Sequence, residues 1–99
     1  MKRIPKYHLH NVSDADLKLL PQDYHSHDMT WIIEKMKELP RQYRQKAREG
    51  YTKAYKGAYE IAPEIQKECR ARRAANRRLR LFVERVKRIS DINPPRIVK

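Results

Sequence analysis

The longest segment with helical periodicity is residues 63–90, PEIQKECRARRAANRRLRLFVERVKRIS. It opens with proline and glutamate, which favour the first turn of a helix. Proline there lacks only an N–H that would stay unpaired, and glutamate complements the positive end of the helix dipole. Apolar residues then recur at spacings of three and four, the period of one helix face. They are Ile65, Ala75, Leu79, Phe82, Val83, Val86 and Ile89. The pattern predicts one long amphipathic helix over about 63–90.

Two further amphipathic segments precede this helix, and Pro40 and Pro63 separate the three. The apolar stripe of the first, about residues 27–39, consists of Met29, Ile32, Ile33, Met36 and Leu39. The stripe of the second, about residues 41–61, consists of Ala47, Tyr51, Ala54, Tyr55, Ala58 and Ala62. The tyrosines favour a place in the core over a base-stacking surface. The three helical segments predict an all-α protein. Because short connections make consecutive helices antiparallel neighbours, we expect them to form a small bundle of about three helices.

The two ends of the chain lack sustained periodicity. Ser13 before two aspartates predicts a short helical turn over about 14–19, ended by Pro21, within an otherwise extended N-terminal arm of residues 1–26. A pair of prolines predicts an extended tail over residues 91–99. We therefore expect a helical domain over 27–90, with an arm and a tail that become ordered only on contact.

Positive charge is concentrated in the C-terminal part of the chain. The 99 residues suit one domain, and their formal net charge is +12. Residues 1–39 contain six basic and six acidic side chains, so residues 40–99 carry the whole net charge. Such asymmetry favours a nucleic-acid or other anionic partner over the alternative, a generic solvated surface.

The third predicted helix carries most of this charge, on its outward face and on the two flanks beside it. From Arg70 to Arg88 there are nine basic residues, eight of them arginine, and one acid, Glu84. A guanidinium group is a planar fork that pairs with phosphate or carboxylate, a property that solubility alone does not require. The residues expected to bind nucleic acid or an acidic partner are Arg70, Arg73, Arg77, Arg78, Arg80, Arg85, Lys87 and Arg88.

Three polar residues lie close to the apolar stripe of the same helix. At 100° per residue, Glu68 and Arg72 fall about 20° on either side of Leu79, and Asn76 falls about 60° away. Glu68 and Arg72 are spaced for an intrahelical pair, so either both reach solvent or this half of the helix faces a protein partner. Asn76 suits a hydrogen bond to a loop carbonyl better than recognition of adenine. All three residues are candidates for a protein interface.

No pattern in the sequence supports catalysis, a cofactor or a metal site. Gly-rich phosphate loops, nucleophile elbows and paired helical carboxylates are absent from it. The pairs His8/His10 and His25/His27 stand in polar segments and lack the spacing of a zinc site. Cys69, the single cysteine, fits a reducing cytoplasm and a role as a small hydrophobe at the edge of the stripe. The missing catalytic motifs predict a protein that is not an enzyme. Since no apolar run is long enough for a membrane span, we expect the protein to stay in the compartment where it is made.

Residues 69–80, CRARRAANRRLR, together with residues 20–25, LPQDYH, resemble small proteins encoded by bacteriophages and prophages. Such proteins tend to be encoded among genes of replication, recombination and host takeover. The resemblance implies the cytoplasm of a bacterial host and two classes of function. One is direct binding of DNA or RNA, mainly through phosphates. The other is binding to a host DNA-processing enzyme in order to inhibit or redirect it, as phage anti-RecBCD proteins do.

Overall fold

The computed structural model describes residues 13–92, and the side chains among them as far as residue 89. Within residues 13–92 four helices follow one another: α1 (Asp14–Leu17), α2 (Met29–Lys37), α3 (Arg41–Ile61) and α4 (Lys67–Ile92). Single 3₁₀ turns, Ser26–Asp28 and Glu64–Gln66, precede α2 and α4. Within the described residues there is no strand, so the predicted all-α bundle of three main helices is confirmed.

The two long helices form a hairpin, and α2 packs across it. The contact between α3 and α4 is the most extensive in the bundle, and α2 also contacts α4. The predicted stripe of α2 is buried along its whole length. The other buried core residues are Tyr24, Ala47, Tyr51, Tyr55, Ala71, Ala75, Leu79, Val83 and Val86. Tyr51 and Tyr55 thus belong to the core, as predicted, with their rings stacked at 6.4 Å.

The corner between α2 and α3 is fixed by Arg44. Its Nε donates to the carbonyl oxygens of Met36 and Leu39, both at 3.0 Å. The last carbonyls of a helix have no partner within the helix, and an arginine can satisfy them. Arg44 therefore ties the end of α2 to the beginning of α3.

Residues 13–26 differ from the expected extended arm because they pack against the bundle. Ser13 caps α1, its Oγ accepting from the backbone N–H of Asp16 at 3.1 Å. Tyr24 is buried, and three leucines of this segment contact the core. The backbone N–H of Gln22 donates to Thr52 Oγ1 on α3 at 3.1 Å. This segment is part of the helical domain, whereas residues 1–12 lie outside the described part of the chain.

The ends of α4 also differ from the expected 63–90. Helix α4 starts at Lys67 and continues to Ile92, two residues into the expected tail, and residues 93–99 lie outside the described part. A 3₁₀ turn has about three residues per turn, so the phase of the apolar stripe is lost before residue 67. Ile65 is consequently 95% exposed, and Cys69 is exposed as well. Ala71, and not Cys69, is the residue near the start of α4 that is buried in the core.

Candidate nucleic-acid interface

A carboxylate at the start of α2 joins that helix to α4. Asp28 accepts from Arg72 Nε at 2.9 Å and from a terminal nitrogen of the same guanidinium at 3.0 Å. Asn76 Nδ2 donates to Asp28 at 3.1 Å. Burial acts to raise the pKa of the Asp28 carboxyl, but the hydrogen bonds from Arg72 and Asn76 outweigh it, and the pKa is lowered. The pair is therefore charged at neutral pH.

Two core tyrosines extend this network along α3. The hydroxyl of Tyr51 donates to Asn76 Oδ1 at 2.5 Å, and that of Tyr55 donates to a Glu68 carboxylate oxygen. Burial raises the pKa of both hydroxyls, so both remain donors at neutral pH. Asn76 thus has the structural role expected of it, although its partners are a carboxylate and a phenol and not a loop carbonyl. Glu68, Arg72 and Asn76, the candidates for a protein interface, all take part in bonds within the fold.

Asp28 is the residue of this network that the sequence did not single out. In the sequence it is an acid in the first turn of a helix, but its carboxylate makes no cap hydrogen bond to α2. The available signal was the presence of Arg72 and Asn76 beside an apolar stripe, since polar groups there require a buried partner. The buried stripe of α4 sets which of its side chains face outward, and the network adds polar bonds that hold the same orientation.

The side chains predicted to bind an anion are all exposed, some opposite the core and others on the flanks of α4. Lys87 is the one that pairs with a described carboxylate, Glu38, and lowers the pKa of that carboxyl. The other seven form no ion pair with a carboxylate of residues 13–89. They are Arg70, Arg73, Arg77, Arg78, Arg80, Arg85 and Arg88. Because α4 rises 1.5 Å per residue, the backbone positions of this row of arginines, from Arg70 to Arg88, span about 27 Å along the helix axis.

An open groove of about 380 Å³ runs along one flank of α4. We call it the arginine groove; its lining residues are Ala74, Arg77, Arg78, Leu81, Phe82 and Arg85. Phe82 meets Tyr43 of α3 edge to face at 6.2 Å. A Cβ atom at Gly50 would lie 2.9 Å from Arg78 Nε, so the missing side chain makes room for that guanidinium. The groove combines an apolar floor with three cationic groups.

The described residues offer no cluster that could hold a metal ion. No group of three or more His, Cys, Asp and Glu side chains comes together between residues 13 and 89. His25 has a local role, its Nδ1 accepting from the backbone N–H of His27 at 3.1 Å, and the pair His8/His10 lies outside the described residues. None of the helices described is both long and apolar enough to cross a lipid bilayer.

Comparison of the chain with protein-family models, with curated proteins and with solved structures returned no match. The proposed function therefore depends on the geometry and charge of the site.

Proposed function

We propose that this protein binds nucleic acid through the outward face of α4, mainly by contacts to phosphates. The observation that carries the proposal is the row of seven exposed arginines that have no carboxylate partner among residues 13–89. Guanidinium groups pair with phosphate in a planar, two-bond geometry. A surface evolved only for solubility would intersperse charges of both signs.

The length of the row suits a nucleic-acid backbone. About 27 Å of helix corresponds to about eight base-pair steps at 3.4 Å each. A straight helix follows a curved duplex over only part of that distance, so we expect about four to six phosphate contacts. Neutralising that many phosphates gives a slope of log affinity against log salt of about −4 to −5 on duplex DNA. Asn76 is bonded inside the fold, and we therefore expect little sequence preference.

The rigidity of the face supports the same function. Arg72 is anchored to Asp28, and Asn76 contacts both α2 and α3. The backbone that carries the outward arginines is therefore in place before binding, so binding does not bear the cost of orienting this helix.

Fluorescence anisotropy with a labelled DNA duplex, at several salt concentrations, tests this proposal. Replacing Arg73 and Arg88 by glutamine should weaken binding and make the salt slope shallower by about 0.9 for each phosphate that is no longer neutralised. Lys18→Gln is a control, because Lys18 is exposed but far from α4 in sequence and makes no ion pair with described residues. Absence of binding at low salt, or a slope that the arginine substitutions leave unchanged, contradicts the proposal.

The alternative function is binding to an acidic or DNA-binding surface of a host enzyme, in order to inhibit or redirect it. It predicts that Glu68, Arg72 and Asn76 lie at the desolvated centre of an interface with the host enzyme. In the structure these side chains instead bond within the fold, to Tyr55, Asp28 and Tyr51 respectively. That engagement makes the alternative the less well supported of the two. A pull-down from bacterial lysate separates them: one stoichiometric protein that survives nuclease treatment favours the alternative, and loss of all partners favours nucleic acid.

A further inference from the structure

The turn between α3 and α4 exposes two large apolar side chains. Ile61 is 87% exposed and Ile65 is 95% exposed. Glu60 and Glu64 stand beside them, both exposed, and neither forms an ion pair with a side chain of residues 13–89. We call these four residues the hairpin tip. It is apolar and acidic in a chain whose formal net charge is +12.

The arginine groove has the opposite character. Its floor includes Leu81, which is 45% exposed, and Phe82, which is partly buried. Arg77, Arg78 and Arg85 surround that floor. The tip thus offers two isoleucines flanked by carboxylates, and the groove offers apolar carbon flanked by guanidinium groups. The two surfaces match in apolar character and are opposite in the sign of their charge.

We propose that the hairpin tip of one copy docks into the arginine groove of a second copy. The two surfaces of one molecule cannot meet, because Leu81 lies fourteen residues beyond the start of α4 at Lys67, about 21 Å along a rigid helix. The contact joins two different surfaces, so each added copy leaves one tip and one groove open. Such heterologous contacts produce rings or open chains of subunits.

The association is weak and sensitive to salt. A stable specific interface buries about 800 Å² on each partner, and two isoleucines with two carboxylates supply far less. Exposed charge pairs are also screened by salt. Arg77, Arg78 and Arg85 belong both to the groove and to the set proposed to bind nucleic acid, whereas Arg70, Arg73, Arg80 and Arg88 lie outside the groove and stay available in an assembled chain.

Sedimentation velocity of the nuclease-treated full chain, at low salt and rising protein concentration, tests the proposal. The sedimentation coefficient of the wild-type protein should increase with concentration. A tip variant, Ile61→Ser with Ile65→Ser, and a groove variant, Arg77→Gln with Arg85→Gln, should each remain monomeric. An equimolar mixture of the two should regain association but stop at a dimer, because it retains one intact tip for one intact groove.

Two matched controls test whether any loss of positive charge, or of an exposed isoleucine, would prevent the self-association. Arg73→Gln with Arg88→Gln removes the same charge from the same helix outside the groove, and Ile89→Ser removes an exposed isoleucine away from the tip. Both should self-associate like the wild type, and circular dichroism should show the same helix content for every variant. A wild-type protein that stays monomeric throughout, a tip variant that still associates, or a mixture that stays monomeric overturns the proposal. The tip variant should bind DNA with an unchanged salt slope, so failure of self-association leaves the proposed nucleic-acid function intact.

Discussion

Replacing Asp28 by alanine should lower the free energy of unfolding more than the same replacement of any other described carboxylate residue. The side chain of Asp28 is 13% exposed and accepts three hydrogen bonds, two from Arg72 and one from Asn76. Hydrogen bonds to a charged group contribute about 1.5–3 kcal/mol when they are buried. The Arg72 side chain is 35% exposed, so water can replace part of the hydrogen bonding that Arg72 loses in the variant. Its pair with Asp28 therefore contributes less than a fully buried pair, since exposed ion pairs contribute about 1 kcal/mol or less. The variant also leaves the Asn76 amide N–H without this acceptor. In total we expect the free energy of unfolding to fall by about 2–3 kcal/mol.

Urea unfolding followed by circular dichroism measures this loss. The midpoint should fall while the slope stays the same, because the exposed area on unfolding hardly changes. At about 4–8 °C per kcal/mol for a domain of this size, the melting temperature should fall by about 10–20 °C. Glu34→Ala is the matched control, since Glu34 is an exposed acid on the same helix without an ion pair to residues 13–89, and it should change stability by less than about 0.5 kcal/mol.

The pH dependence of the same difference identifies its origin. The folded-state pKa of Asp28 is lowered, so its contribution is fully present above the unfolded value of about 3.9. That contribution disappears as pH falls through the folded-state pKa. Wild type and Asp28→Ala should therefore converge in stability at acid pH. A difference that persists there, or a loss no larger than that of Glu34→Ala at neutral pH, contradicts a stabilising role of the charged network.

Two further predictions concern the long helices. Gly57→Ala should stabilise the protein by about 1 kcal/mol in urea unfolding, because the added Cβ would meet no neighbouring element within 4 Å and alanine favours helix. Gly50→Ala should gain less, since its Cβ displaces the Arg78 guanidinium, and equal gains at both sites would contradict that contact. In alkaline titration, burial raises the pKa of Tyr51 and Tyr55 in the folded state. The contribution of these two tyrosines to the free energy of unfolding is thus fully present below their unfolded pKa of about 10, and it falls as pH rises above that value. Complete tyrosinate absorbance in a chain that keeps its helical circular dichroism would exclude this coupling.

Helix content could be predicted from the sequence because it depends on local features. The apolar residues of α2 recur at helical spacing, and Pro40 and Pro63 separate the main helices. The exposure of the arginines followed from the same periodicity, since a residue opposite a buried stripe faces solvent.

Contacts between distant segments could not be predicted in this way. Asp28 and Arg72 are 44 positions apart, and no periodicity in either helix indicates the other as its partner. The packing of Tyr24 depends likewise on a surface that exists only once α2, α3 and α4 have come together. The exposure of Ile65 depends on one 3₁₀ turn, which shifts the phase of the stripe without an evident change in composition.

The two polar attachments of α2 have a consequence for the order of folding. Arg44 reaches carbonyls only five and eight residues away, whereas Asp28 meets Arg72 and Asn76 across 44 and 48 residues. Closing a loop costs more chain entropy as the loop lengthens, and distant contacts form more slowly than local ones. The corner between α2 and α3 is therefore expected to form early, and the pairing of Asp28 with α4 late. On this pathway, α2 is joined to α3 at the corner before its other end is attached to α4.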